Sequence, residues 1–284
     1  MRYRFIDEHK KAWPVILMCD VLSVSRSGYY DWTGRSPSQR AQSNRKLDSC
    51  IREIFSHHRQ RYGAPRITDA LHDEGIACSE NRVARRMRAQ GLKAVQAKKF
   101  KVTTDSNHSK PVAPDLIEQD FSATAPNQKW ASDISYIWTD EGWLYLAVVM
   151  DLYSRAIVGW SMNRRMTQQL VCDALTMALF RRHFPWGTII HSDRGSQYCS
   201  GRYQQLVRTN GLRCSMGRRA TCYDNAAMES FFHTLKVELV HRERYITRRM
   251  AKSSIFEYIE TYYNRQRKHS AIGYRIPMVF EKAA

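Results

Sequence analysis

The chain has 284 residues, enough for one large domain or two modest ones that each bury a core. Hydrophobic residues make up 43% and charged residues 25%, a balance typical of folded proteins, which excludes a disordered or fibrous chain. The 45 Lys and Arg residues against 27 Asp and Glu give a formal net charge of +18. An excess this large favours a polyanionic partner, with nucleic acid the leading candidate over an anionic membrane.

Membrane and secretory classes find no support in the sequence. No apolar run approaches the roughly 20 residues that cross a bilayer. The first residues are too polar for a secretory signal, whose apolar stretch runs about 7–15 residues. Seven cysteines are scattered without a CxxC pair, which is typical of reduced, mostly buried thiols and argues against structural zinc. We therefore expect a cytoplasmic protein with no membrane association.

Residues 1–95 are helix-like and rich in arginine, and we interpret them as a helix-turn-helix DNA-binding region. Residues 14–32 are typical of two helices joined by a tight turn. Apolar side chains recur at helical spacing in the first of these helices: Ile16, Leu17, Val21 and Leu22. Residues 66–92 repeat the pattern, since Gly75 can end one helix in the left-handed conformation and Ser79 can cap the next.

The second helix of that later unit presents a basic face. Three arginines share it by the i, i+3, i+4 rule, namely Arg82, Arg85 and Arg86. Val83 and Met87 lie on another face. In a helix-turn-helix the second helix enters the major groove, where arginines reach phosphates or guanine edges. The alternative is a solvated basic face on an ordinary helical hairpin.

The rest of the chain changes character twice. Residues 96–126 are polar, contain proline and show weak periodicity, so we predict a linker. From residue 127 to 284 we predict a catalytic core that ends in a basic helical segment. Its predicted strands are 129–138, 143–150, 156–161, 187–191 and 212–216. Its predicted helices are 167–183, 201–210 and 224–240. This element order predicts an α/β fold, an RNase H-like mixed sheet with flanking helices, preceded by the small all-α region.

Three carboxylates stand out because of where these elements place them. Asp133 lies in the middle of a predicted strand, where an unpaired charge is costly unless something binds it. Asp193 ends a strand, at the edge where open α/β sheets place ligands. Glu229 lies near the start of the last helix. Each alone is typical of an ion-paired or solvated residue.

Together the three acids fit a known chemical need. Phosphoryl transfer between DNA strands uses two divalent cations about 3.5–4 Å apart. Mg²⁺ takes oxygen ligands and keeps several waters, so a few carboxylates suffice. We expect Asp133 to bridge both cations, with Asp193 and Glu229 each completing one site. Lys236 follows Glu229 by two helical turns on one face, where it could hold a DNA phosphate, although a solvated lysine is the alternative.

Several segments carry a resemblance to a known family. They are WASDISYI, HSDRGSQY and DNAAMESFFHTLKVE, together with YGAPRI at 62–67, LYLAVVMDLYSRAIVGW at 144–160 and YNRQRKHSAIGYRIP at 263–277. Between the three acids lie 59 and then 35 residues. In these features the chain resembles the OrfB-type transposases of bacterial insertion sequences, which belong to the DDE class and are related to retroviral integrases. The resemblance spans nearly the whole chain.

The resemblance implies specific roles. The catalytic acids fall on Asp133, Asp193 and Glu229, and the helix lysine falls on Lys236. The family uses Mg²⁺, for which Mn²⁺ can substitute, to nick element ends and join the freed 3′-hydroxyl to DNA. The partners implied are double-stranded DNA, further copies of the chain, and an upstream-frame segment with a leucine zipper. Because the chain begins at Met1 without a heptad zipper, we expect the downstream half of such a fusion. It also lacks the His-His-Cys-Cys zinc module of retroviral integrases.

Other residues leave alternatives open. Asp151 is the main rival acid, for which we favour a structural ion pair or turn. Asp224 and Asn225 are predicted to cap the last helix or to steady the acidic cluster. His191 and Gln197 flank Asp193 as supporting residues or DNA contacts.

The segment YYNRQRKH interleaves aromatic rings with cations, and its Arg265 and Lys268 are predicted to bind the DNA backbone. A packed terminal helix with a wet face is the alternative there. Two other functions compete with transposition: an RNase H-type nuclease that cuts without joining, and a regulator that binds DNA without chemistry.

Overall fold

The first part of the chain is helical. The computed structural model describes residues 1–95, 113–217 and 225–283. Up to residue 95 the described helices are α1 (Arg2–His9), α2 (Val15–Val21), α3 (Arg26–Gly34), α4 (Gln39–His57), α5 (Ala64–Asp73) and α6 (Glu80–Ala89). Helices α4, α5 and α6 bury one small core, which includes Ile51, Ile67 and Val83.

The turn between α5 and α6 has the predicted form. Gly75 adopts a φ of +75°, and the Ile76 amide behind it donates to the Leu71 carbonyl at 2.8 Å, which closes the end of α5. The Ser79 hydroxyl accepts from the Arg82 amide at 3.3 Å and caps α6. These features confirm the helix-turn-helix prediction for this region.

In the earlier helix pair, α2 and α3, most of the apolar residues that the sequence placed on one helical face are not buried. Helix α2 forms where predicted, yet Ile16, Leu17 and Val21 are exposed. Met18 and Cys19 face inward instead, against Ile6 of α1 and Tyr29 of α3. In a helix this short the buried face is one turn wide, so packing partners and not spacing decide which apolar residues it includes.

A five-stranded mixed sheet forms the centre of the second part. Its strands are β1 (Lys129–Ile137), β2 (Leu144–Asp151), β3 (Ile157–Asn163), β4 (Ile189–Ser192) and β5 (Arg213–Met216), in the order β3-β2-β1-β4-β5. The pairs β1/β2 and β2/β3 are antiparallel, and β1/β4 and β4/β5 are parallel. This arrangement confirms the predicted RNase H-like mixed sheet.

Helices cover both faces of the sheet. They are α7 (Gln168–Arg181), α8 (Gly201–Thr209) and α9 (Ala226–Glu238). Apolar residues of α9 join one core with Ala131 and Ile137, and those of α7 and α8 join another with Trp130 and Val149. Helix α7 packs closely on β3 because Gly159 has no side chain: a Cβ there would lie 2.2 Å from the Ala174 carbonyl oxygen.

The C-terminal part is more varied than the single basic helical segment that we predicted. Helix α10 (Arg248–Glu257) continues into a π-helical turn over Tyr258–Tyr263, followed by a 3₁₀ turn over Ser270–Ile272 and α11 (Pro277–Lys282). Tyr262 and Tyr263 are buried. Among the helices of the described residues, none is long and apolar enough to cross a membrane.

Part of the predicted linker packs against the sheet. Residues 96–112 lie outside the described residues. Beyond them, the Leu116 amide donates to the Ser215 hydroxyl at 2.9 Å, and the Met216 amide donates to the Pro114 carbonyl at 3.2 Å. Ile117 is buried in the core beneath α9. The packing of the sheet domain therefore begins upstream of residue 127.

The helical region and the sheet domain meet at a set of buried polar contacts, which we call the junction: residues 58–73 on one side and 238–269 on the other. At its centre the Glu238 carboxylate accepts from the Arg267 guanidinium at 2.8 Å and from the Tyr258 hydroxyl at 2.8 Å. Arg61 donates to the Glu238 backbone carbonyl at 3.1 Å, and its guanidinium lies 4.2 Å from the Tyr262 ring centroid. The junction therefore fastens the helical region to the end of α9.

Candidate active site

Strand pairing brings the first two predicted acids together. Strands β1 and β4 are parallel, with Ala131 opposite His191. Extending that register by two residues along each strand places Asp133 beside Asp193. Neighbouring strands are about 4.8 Å apart. Asp193 is the first residue after β4, so the two strands deliver both carboxylates to one edge of the sheet.

Local backbone contacts orient the two side chains. The Ile134 amide donates to the Asp133 carboxylate at 2.7 Å, and the Gly195 amide donates to the Asp193 carboxylate at 2.9 Å. The turn after β4 is tight: a Cβ on Gly195 would lie 2.9 Å from the same Asp193 oxygen. A side chain at position 195 would therefore crowd the carboxylate.

The electrostatics of Asp133 link all three acids. Burial, together with the charges of Asp193 and Glu229, raises the pKa of Asp133 to about 8, while the Ile134 amide and Lys236 oppose the shift. Glu229 itself is exposed, in the first turn of α9. No three His, Cys, Asp or Glu side chains in the described parts of the chain are gathered closely enough to hold a metal ion. The structure therefore brings Asp133 and Asp193 together at the sheet edge, while Glu229 acts on Asp133 through its charge from the first turn of α9.

Neighbouring polar groups hold β1 and α9 around this position. The Asn225 amide group donates to the Ser132 carbonyl at 3.2 Å, next to Asp133. The Ser132 hydroxyl donates to the Val148 carbonyl at 2.8 Å and lies 3.0 Å from the Tyr198 hydroxyl. Asn225 makes no side-chain cap bond to α9, so its side chain steadies the site instead, while Asp224 lies outside the described residues.

Sequence reasoning missed Ser132 and Tyr198. Alternation along a strand assigns Ser132 to the face opposite Asp133, and Tyr198 reads as a core aromatic residue. The one available signal was that Tyr198 closes the HSDRGSQY segment containing Asp193.

Lys236 lies beside the acids. It is half-buried on α9, and burial lowers its pKa while the charge of Asp133 opposes that shift. Its ammonium nitrogen lies 4.9 Å from the centroid of the Tyr136 ring on β1. Two turns of helix separate it from Glu229, as predicted.

Comparisons with known proteins match this architecture. The integrase core domain model matches residues 123–222, a second integrase core domain model matches 229–283, and an HTH-like domain model matches 42–100. The transposase InsF of insertion sequence IS3fB from Escherichia coli K12 is 50% identical over 283 residues, covering 99% of this chain and 98% of the relative. The chain belongs to the IS3-family InsF transposases. An uncharacterized 31 kDa protein of insertion element IS600 from Shigella sonnei is 47% identical over 93% of this chain and 97% of its own.

Solved integrase structures are similar at a lower level. The simian T-cell lymphotropic virus intasome in complex with a PP2A regulatory subunit gives a TM-score of 0.48 at 14% identity, covering 81% of this chain and 74% of that chain. The HTLV-2 integrase catalytic core domain in complex with magnesium gives 0.44 at 14% identity, covering 56% and 99%.

Asp151, the main alternative to the three predicted catalytic acids, makes structural contacts. Asp151 is fully buried at the end of β2, and its carboxylate accepts from the amides of Asn127 and Tyr153 at 2.8 and 2.9 Å. The sequence favoured either a structural ion pair or a turn for Asp151, and these contacts show that its carboxylate holds a turn. His191 is buried and lies 2.9 Å from the Ser215 hydroxyl, which makes it a supporting residue of the sheet. Gln197 donates to the Met166 carbonyl at 3.3 Å.

The three arginines of α6 differ in their contacts. They line a cleft of about 540 Å³ between α4 and α6. Arg86 forms an ion pair with Asp48 at 2.5 Å, and Arg82 donates to Asn44 at 3.0 Å and to Ser43 at 2.9 Å. Arg85 is exposed and bonds only locally, to the Asn81 carbonyl. Arg85 is therefore the arginine that presents most of its guanidinium to a ligand.

The C-terminal cations divide in the same way. Arg265 is exposed. Lys268 is buried, and its ammonium group forms ion pairs with Asp69 and Asp73 of α5. Both carboxylates pair with the Lys268 ammonium group at the junction, so its charge is compensated within the protein, and DNA-backbone binding by Lys268 stays a prediction. The structure supports the alternative interpretation of YYNRQRKH, a packed segment with one solvent-exposed face, on which Arg265 lies.

Proposed function

We propose that the protein is a DNA transposase that nicks the ends of its insertion sequence and joins the freed 3′-hydroxyl to target DNA. Its catalytic acids would be Asp133, Asp193 and Glu229. Membership of the InsF family supports the reaction class. The observation that supports the site is the parallel register of β1 and β4, which brings Asp133 and Asp193 to one edge of the sheet, where burial and the charges of Asp193 and Glu229 raise the pKa of Asp133.

The donor set suits divalent cations of the Mg²⁺ type. All three side chains offer carboxylate oxygens, the ligands that Mg²⁺ prefers, and Mn²⁺ can use the same set. The repulsion among the acids is the electrostatic deficit that cations would offset. Two bound cations would supply an activated oxygen nucleophile and charge stabilisation at the phosphorus and the leaving oxygen. Asp133 would contact both, with Asp193 and Glu229 holding one each.

The protein's own residues would position the DNA. Lys236, on the Glu229 face of α9, would bind a phosphate beside the acids. Asn225 and Ser132 hold α9 against β1, so that Glu229 and Asp133 keep their spacing. Tyr198 is buried, and its hydroxyl lies 3.0 Å from that of Ser132, which supports this part of β1.

Sequence-independent binding would come from the basic surfaces. Residues 1–95 would act as the helix-turn-helix DNA-binding region and residues 127–284 as the catalytic core, with 96–126 between them. Arg82, Arg85, Arg86 and Arg265 would contact duplex DNA at phosphates. Several copies would assemble on the element ends in the cytoplasm, with an upstream-frame segment as a further partner.

A strand-transfer assay tests the proposal. A labelled 3′-end oligonucleotide should be joined to target DNA with Mg²⁺ or Mn²⁺, while Ca²⁺ should support binding with little joining and EDTA should abolish activity. Glu229→Gln should keep DNA binding and lose joining by several orders of magnitude. Asp151→Asn is the matched control, since it changes an acid with structural contacts and should affect stability more than chemistry.

The same assay separates the competing functions. Cleavage without joined product indicates a nuclease, and a mobility shift without chemistry indicates a regulator. More than about a tenth of wild-type joining in Glu229→Gln, which corresponds to a barrier change of only about 1.4 kcal/mol, contradicts the role of Glu229 as a catalytic acid.

A further inference from the structure

Three large aromatic side chains lie exposed together at the tip of the β1–β2 hairpin. Tyr136, Trp138 and Trp143 are 40%, 57% and 43% exposed. The Trp143 ring centroid lies 5.1 Å from that of Tyr136 and 4.9 Å from that of Trp138, with edge-to-face geometry in both pairs. With Lys236 and Arg244 they line a cleft of about 390 Å³, which we call the aromatic cleft.

Hairpin stability does not account for this exposure. The turn is already closed by other bonds, because the Thr139 hydroxyl donates to the Gly142 carbonyl at 2.6 Å and the Gly142 amide donates to the Thr139 carbonyl at 2.8 Å. Two tryptophans flanking a turn can stabilise a hairpin as a cross-strand pair. Three contiguous rings that remain about half exposed form an apolar surface of the kind that marks a binding site. The remaining ring surface is available to a flat ligand.

The aromatic cleft adjoins the acids. Tyr136 follows Asp133 by three residues on β1, about 10 Å along the strand; alternation starts the two side chains from opposite faces, but both lie beyond the part of β1 that pairs with β4. Lys236 links the two regions, since its ammonium nitrogen is 4.9 Å from the Tyr136 centroid and Glu229 lies two turns earlier on the same helix. A DNA strand with a phosphate at the acids would therefore pass Lys236 and reach the rings within a few nucleotides.

The charges of the aromatic cleft favour an uncharged ring over a run of phosphates. Arg244 is paired with Asp140, at 3.2 Å, and Glu243 accepts from the Ser254 hydroxyl at 2.8 Å. His241 also lines the cleft. Cations and carboxylates thus alternate around the rings, whereas a backbone-binding groove presents cations alone. A nucleobase has the flat face and neutral charge that this lining accepts.

We propose that the aromatic cleft binds an unpaired base of the DNA strand that is processed at the acids, stacked on Trp138 or Trp143. The proposal rests on the proposed function, because the strand is the one delivered to Asp133. Opening a base pair costs a few kcal/mol, and stacking on an aromatic side chain offsets that cost. The aromatic cleft would thereby favour DNA ends whose last base pairs are open.

The probe is a short blunt duplex compared with the same duplex carrying two mismatched pairs at one end, one with 2-aminopurine. Binding is measured in Ca²⁺. The wild-type protein should prefer the mismatched end by about 5- to 150-fold, the range for one stacked base, and should quench 2-aminopurine fluorescence. Trp143→Leu should lose both effects, while Trp143→Phe should keep much of each. Trp186→Leu is the matched control, since Trp186 is 84% exposed outside the aromatic cleft.

Trp138→Leu repeats the test at the more exposed ring, and thermal unfolding of each variant establishes that the hairpin remains folded. Equal preference for both duplexes in the wild type, or unchanged quenching in both folded leucine variants, overturns the proposal. So does a change of oligomeric state in these variants without a change in end preference, which would assign the rings to a protein contact. Joining activity without end preference refutes this inference alone. End preference with quenching but no joining refutes the proposed function and keeps the base site.

Discussion

Helix α9 ends in two different charged environments. Near its first turn lies Asp133, whose pKa is raised to about 8 by burial and by the charges of Asp193 and Glu229. At its last residue, Glu238 is 8% exposed and pairs with Arg267, which is 4% exposed. Its carboxylate accepts hydrogen bonds from two nitrogens of Arg267 and from the Tyr258 hydroxyl.

The difference separates two uses of a buried charge. Glu238 has enough donors to replace the water that it lost, so the junction is complete within the protein. At Asp133 burial and the neighbouring acids instead disfavour the charged form of the carboxyl group. The two ends of one helix thus place acids in opposite electrostatic settings, and the partners rather than the residue type distinguish them.

The largest expected effect tests the first environment. Asp193→Asn should lower joining by about a thousandfold or more, because a metal ligand supplies several kcal/mol of transition-state stabilisation. In EDTA the same variant should be at least as stable as wild type, since it removes a like charge beside Asp133. Joining rates measure the predicted loss of activity, and urea midpoints measure the predicted stability. A destabilised variant would show that the Asp193 carboxylate stabilises the fold, as that of Glu238 does.

The junction should respond in the opposite way. Glu238→Gln leaves the Arg267 charge buried without a counter-charge, so it should lower the free energy of unfolding by about 3–5 kcal/mol. Urea denaturation measures it, and Arg267→Met in the same chain should restore part of the loss. The exposed pair Arg4–Glu8 provides the control: Glu8→Gln should cost less than about 1 kcal/mol. Equal costs for both substitutions would remove the contrast.

Acid should weaken the junction through its histidines. Burial lowers the pKa of His58 from 6.5 to about 4, and that of His269 to about 3. Folding therefore excludes a proton from each ring, and the stability present above pH 6.5 declines as the pH falls towards 4. His58→Phe keeps the stacking on Tyr62, whose ring centroid lies 3.7 Å away, without the titrating group.

The difference in urea midpoint between pH 7 and pH 5 should therefore be smaller in His58→Phe than in wild type. An identical pH response would show that His58 is protonated freely in the folded protein.

The smallest effects concern the arginines of α6, where the same contrast recurs. Arg85→Ala should leave stability unchanged and lower the slope of log affinity against log salt by about 0.9, the value for one phosphate contact on duplex DNA. Arg86→Ala should instead lower stability, because Asp48 loses its partner. Binding isotherms at several salt concentrations, with urea midpoints, distinguish the two. A normal salt slope in Arg85→Ala would mean that α6 does not contact phosphate through this residue.

Features encoded within single elements were predictable from the sequence. The strands and helices from residue 129 to 238 lie within a few residues of their predicted bounds, because alternation and helical spacing repeat along each element. The Gly75 and Ser79 signals at the α5–α6 turn were correct for the same reason, since both act over one turn of chain. Asp133 and Asp193 could be placed at one sheet edge from element order alone.

The environment of each charge required the tertiary structure. The Lys268 ammonium pairs with Asp69 and Asp73, which lie in a different part of the chain, and no local pattern distinguishes it from exposed Arg265. Arg86 and Arg85 share one helical face, yet only Arg86 meets Asp48 of α4. The sequence by itself determined the family and the order of the elements along the chain, because these depend on motif spacing and local periodicity. Which cations are held within the protein was decided only by packing between distant segments, because a charge is free or paired according to neighbours that the chain brings together from far apart.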